Sequence, residues 1–149
     1  MIWIKRFFIF SMFIFYAIFS INLVAQDVTY TPKWGSEERK IILDALRHKI
    51  EPSLNTNVVF EVAFFKVRGD WAFMRGYPTQ ANGQKIDYSK TKYEELIKEG
   101  MFDNNICALL FRKDGVWLVT QYVLGATDVP YEGWYREYNA PKEIFDNAD

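Results

Sequence analysis

The stretch VVFEVAFFKVRGDWAFMRGY, Val58 to Tyr77, decides how this chain folds. β-Branched and aromatic residues dominate Val58–Arg68, as a pleated, half-buried surface requires. Gly69-Asp70 is a two-residue turn signal. Trp71, Phe73 and Tyr77 then fall on alternate positions, with Arg75 as the one polar member. The pattern predicts two antiparallel strands joined by a tight turn. The alternation slips at Ala63-Phe64, which predicts a β-bulge or burial on both faces.

Toward the C-terminus, residues 79–105 are polar and interrupted, with a turn at Asn82-Gly83 and a short helix from Tyr93 to Glu99 stopped by Gly100. Ile106–Arg112 reads as a third strand and Val116–Leu124 as a fourth. Lys113-Asp114-Gly115 between them is a second hairpin corner, Asp-Gly being a strong hairpin signal. The tail, Gly125 to Asp149, is aromatic and irregular. Trp134, Tyr135 and Tyr138 fit one helical turn, and Pro141-Lys142 opens another that carries Ile144 and Phe145.

Toward the N-terminus, Ser36 is a good helix cap, and Glu37 and Glu38 place acid in the first turn, where the helix dipole favours it. The spacing of Ile41, Ile42, Ala45, Leu46 and Ile50 predicts an amphipathic helix over 37–51, ended by Pro52. Residues 26–35 read as an extended arm, punctuated by Thr31-Pro32 and Gly35. Helix, hairpin, excursion and hairpin make an α+β fold: an N-terminal helix packed on a four-stranded antiparallel curved sheet. That order, over the whole of 26–149, resembles the cystatin-like and NTF2-like families.

Particular strings carry a closer resemblance. Glu38-Arg39-Lys40-Ile41-Ile42-Leu43-Asp44-Ala45-Leu46-Arg47, Gly69-Asp70-Trp71-Ala72-Phe73, Asp87-Tyr88 and Gly125-Ala126-Thr127-Asp128-Val129-Pro130 resemble an uncharacterised family of small exported bacterial proteins. The resemblance implies a shared fold and export, and no activity.

The first residues agree with export. Lys5 and Arg6 precede an apolar run from Phe7 to about Ile21, and Leu23-Val24-Ala25 is a small-residue exit before Gln26-Asp27. A cationic start, an apolar run and such an exit form a secretory signal. The competing reading is an uncleaved anchor, since roughly 17 residues is the lower length of a membrane span. The Leu-Val-Ala exit favours cleavage, which makes 1–25 a signal peptide and 26–149 a single periplasmic or secreted domain; a membrane is met only through the signal segment, if it is left uncleaved. No lipobox cysteine lies near the cut, which argues against a lipoprotein. Residues 1–25 hold two bases and no acids, so cleavage leaves 124 residues with 16 bases against 19 acids, a net charge of −3. A mild, interspersed negative charge argues against nucleic acid, which demands a basic stripe.

Candidate chemistry is sparse. Cys107, the single cysteine, sits in an apolar run and reads as a buried inert thiol, with no intrachain disulfide to form. His48, the single histidine, is expected to be solvated, and one His with one distant Cys makes no metal site. Asp146-Asn147-Ala148-Asp149 lacks the pattern of a calcium loop. Arg68-Gly69-Asp70 spells an integrin-binding tripeptide, but a hairpin corner demands Gly-Asp for backbone reasons. Ser36, Ser53 and Ser89 lie in no nucleophile elbow. No residue is assigned a catalytic role, and no cofactor is expected.

A possible pocket combines Trp71, Asp87, Tyr88, Tyr122, Asp128 and Trp134. A sheet capped by a helix can leave a concave apolar pocket, where a carboxylate acts as a base beside a tyrosine donor. The simpler alternative makes the acids turn caps and the aromatics core. Three functions follow, the first favoured: a non-catalytic binding or accessory module of the cell envelope, whose partner is an envelope protein, a peptide or a glycan; a small enzyme with an acid–base pocket on Asp128 and a tyrosine; and an immunity-type or structural protein with one cognate partner. No feature of the sequence sets an oligomeric state.

Overall fold

The computed structural model describes residues 28–148, so the expected signal segment and cleavage point lie outside the described residues. An 18-residue helix, α1 (Glu37–Leu54), precedes four strands, β1 (Val58–Arg68), β2 (Trp71–Gln80), β3 (Ile106–Lys113) and β4 (Val116–Leu124). The strands form one antiparallel sheet in the order β1-β2-β3-β4. Between β2 and β3 the excursion carries a 3-10 turn, Tyr88–Lys90, and a short helix, α2 (Glu94–Lys98). After β4 come α3 (Trp134–Glu137) and a second 3-10 turn, Lys142–Ile144. This is the α+β arrangement of helix on antiparallel sheet expected above. No helix among the described residues is long and apolar enough to cross a membrane.

α1 starts where its chemistry places it. The Ser36 hydroxyl accepts from the Arg39 amide at 3.3 Å. The far end corrects the sequence reading, because Pro52 lies inside the helix. Proline removes one backbone bond to the preceding turn, yet Leu54 is buried and holds the last turn against the sheet. Asn55 closes the helix in the left-handed region (φ 54), its amide donating to the Glu51 carbonyl. The buried stripe is Ile42, Leu43, Leu46, Ile50 and Leu54, whereas Ile41 is exposed. His48 is exposed, as expected.

Both corners sit where the glycines required them. Asp114 and Gly115 both have positive φ, and at the first corner Gly69 does. There the Asp70 carboxylate accepts from Arg112 Nε at 2.8 Å, tying the first hairpin to β3. The predicted slip is a bulge between Val62 and Phe64. It changes the parity of β1, so that Val58, Phe60 and Val62 before it and Phe65 and Val67 after it all join the α1 side. Pro78 is tolerated because the β2–β3 ladder ends at Gly76–Ile106, leaving that side of β2 without a neighbour.

The sheet is covered on both faces. α1 and the excursion cover one, over Met74, Ala108, Leu110 and Trp117. The tail covers the other: Tyr131, Trp134, Ala140, Ile144 and Ala148 pack on Phe73, Cys107 and Leu109. Phe73 is the centre of that second layer, with ring centroids 4.6 Å from Phe145, 4.9 Å from Tyr131 and 6.2 Å from Trp134.

Candidate binding site

A cavity of about 80 Å³ opens on the tail side, where the β1 bulge, the end of β2, the start of β3 and the loop after β4 converge. Ala63 is the bulged residue and Gly76 stands beside it. A Cβ on Gly76 would lie 2.4 Å from the Glu61 carbonyl oxygen, so only glycine lets the two strands approach here. The start of the loop after β4 is held by two bonds to Asn105. Gly125 donates its amide to the Asn105 carbonyl at 2.8 Å, and the Asn105 side-chain amide donates to the Ala126 carbonyl at 2.8 Å. This brings Asp128 and Tyr131 to the cavity wall.

Arg75 also lines the cavity. Its position on β2 gives it the parity of Phe73, so it belongs to the tail face. The guanidinium lies 5.4 Å from the centroid of the Tyr131 ring, a cation–π contact. Tyr131 is anchored in turn, its hydroxyl donating to the Ala148 carbonyl at 3.3 Å. Neither Arg75 nor Asp128 forms an ion pair or a side-chain hydrogen bond among the described residues. Two opposite charges therefore face one small space without neutralising each other.

Cys107 lines the same cavity from below. Burial pushes its thiol up to about 11; Arg75 opposes that shift and Asp128 adds to it. The sulfur is 3.9 Å from the Val123 carbonyl oxygen. At neutral pH it is a protonated wall atom, not a thiolate nucleophile.

The six residues of the expected pocket are not brought together. Trp71 and Trp134 lie on the tail face, Trp71 with its ring centroid 4.7 Å from Phe111 and Trp134 edge-on to Phe73. Tyr88 and Tyr122 lie on the α1 face. Tyr88 donates to Asn104 Oδ1 at 2.6 Å, and burial drives its phenol above the usual range. Asp87 caps the first 3-10 turn by accepting from the Ser89 hydroxyl and amide, and the hydroxyl holds its carboxyl below the usual value. Asp87 and Tyr88 line a separate, mostly apolar slot of about 320 Å³ with Ile86, Ile97 and Phe102. Of the six, Asp128 alone reaches the Arg75 cavity.

The sequence reading passed over Arg75, Asn105 and Tyr131 as site residues. One signal was available: Arg75 is a lone cation at a position whose strand neighbours on the same face, Trp71 and Phe73, are aromatic. No cluster of three or more metal-ligating side chains occurs among the described residues. No protein-family model matches this chain, and neither does any curated protein or solved structure.

Proposed function

We propose that this chain is an exported binding module of the cell envelope, with a scaffold of the cystatin-like or NTF2-like kind, that recognises a carboxylate in the Arg75 cavity. One observation carries the reading. A half-buried guanidinium is held in place over Tyr131 with no carboxylate paired to it among the described residues. Guanidinium groups pair with carboxylates through two parallel hydrogen bonds, and such charge-assisted bonds are among the strongest available to a protein. Setting Arg75 in place before the ligand arrives removes much of the ordering cost of binding. The exported location rests on the cationic and apolar first residues and on Leu23-Val24-Ala25.

The acid–base alternative has Asp128 in the same cavity as Tyr131, but that tyrosine already spends its hydroxyl proton on the Ala148 carbonyl. Recognition uses the groups as they stand, and catalysis would have to rearrange them.

Acetate is the simplest probe. Titrated into labelled protein, it is expected to shift the amides of Gly76, Cys107 and Asp128 with a Kd on the order of 1–10 mM, modest for so small a ligand. Arg75→Gln removes that response and Arg75→Lys keeps part of it. Shifts that persist unchanged in Arg75→Gln, or no shifts at 100-fold excess over about 1 mM protein, overturn the reading.

A further inference from the structure

Resting on that carboxylate site, we propose that the ligand is a small zwitterion, a free α-amino acid with a short side chain, its carboxylate on Arg75 and its ammonium on Asp128. Both charges line one cavity, and among the described residues neither is ion-paired, Arg75 having only the Tyr131 ring beside it. A simple anion would gain from Arg75 but be repelled by Asp128, and a simple cation would meet the reverse. A ligand carrying both charges a few ångströms apart satisfies the two walls together.

Room sets the size. A water needs roughly 10–15 Å³ of such space, so the cavity's 80 Å³ holds on the order of six water-sized groups. Glycine and alanine are of that size, and an aromatic amino acid is not. The remaining wall fits the same ligand: Ala63 and Gly76 present little bulk, and the protonated Cys107 thiol and the Tyr131 ring give an apolar surface for a methyl group. Gly76 cannot be enlarged without pushing β1 away, so the small wall is built into the strand pairing.

Isothermal titration of the purified chain with alanine, acetate and methylammonium tests this. Alanine is expected to bind at least tenfold more tightly than either half-ligand. Asp128→Asn is expected to reduce alanine affinity to that of acetate while acetate binds as well as before or better. Asp128 is exposed and makes no side-chain hydrogen bond among the described residues, so this variant is expected to keep its fold. Arg75→Gln abolishes both responses. If acetate binds as tightly as alanine, or Asp128→Asn leaves alanine affinity unchanged, the zwitterion is wrong while the carboxylate site stands. If none of the three probes binds, both fall.

Discussion

The two faces of the sheet are built from different materials. The α1 face is closed by a regular element whose apolar stripe, Ile42, Leu46 and Ile50, is fully buried against Ala72, Met74, Ala108 and Leu110. The tail face is closed by an irregular chain that supplies rings instead of aliphatic branches, gathered around Phe73. Aliphatic side chains at helical spacing interdigitate to crystal-like density. The tail rings meet Phe73 tilted or edge-on, as aromatic pairs prefer. The Arg75 cavity lies on the tail side, where a cation rests on the Tyr131 ring with no ion pair among the described residues. The α1 side has a slot of its own beside Tyr88 and Phe102, but the cavity that both Arg75 and Asp128 line lies on the tail side.

Removing Phe73 should have the largest effect. Phe73→Ala takes away a fully buried ring that contacts Tyr131, Trp134 and Phe145, and should cost about 3–5 kcal/mol in chemical denaturation. It should also release the tail, read as early proteolysis after Gly125 while the α1 face stays protected. Leu46→Ala, on the other face, should cost about 2–5 kcal/mol and lower the midpoint without freeing the tail first. Equal loss of tail protection in the two variants would erase the distinction between the faces.

Gly76→Ala should cost about 1–3 kcal/mol through overpacking, because its Cβ would meet the Glu61 carbonyl at 2.4 Å. It should also weaken acetate binding, which a purely structural glycine would not do. Alkaline titration probes Cys107. The fold favours its neutral thiol, so the stability this confers is fully present below the unfolded value of 9.0 and is lost as the pH rises through the folded value of about 11. Cys107→Ala should flatten that part of the stability–pH curve between pH 9 and 11, and an unchanged slope would show that the thiol is not sequestered. The smallest effect belongs to the α1 cap. Ser36→Ala should cost about 1 kcal/mol in thermal unfolding and leave the tail face untouched.

The same contrast explains what the amino-acid sequence made legible. β1 and β4 appeared at their observed bounds, because period-two patterning and Gly-Asp or Asp-Gly corners are local signals. The slip at Ala63 was visible for the same reason. Pro52 misled, because the burial of Leu54 that carries the helix past it is a tertiary contact. The docking of the tail was not legible. Tyr131, Trp134 and Ile144 follow no period, and their partner Phe73 lies far away in the chain. Parity places the residues of the expected pocket on different faces. The β3–β4 ladder shifts between Leu109 and Leu110, leaving Tyr122 on the α1 side and its neighbour Val123 on the tail side. Asp128 was singled out from its place just after β4, but its companions Arg75 and Tyr131 could be found only by knowing which face the tail covers.

Whether the tail is the second layer can be asked of the Phe73 ring protons directly. In a nuclear Overhauser spectrum of the intact chain they should show cross-peaks to the rings of Phe145 and Tyr131, whose centroids lie 4.6 and 4.9 Å away. Cross-peaks only to sheet residues such as Phe64, with fast-exchanging amides throughout 126–148, would mean that the tail does not cover the sheet and that the Arg75 cavity does not form.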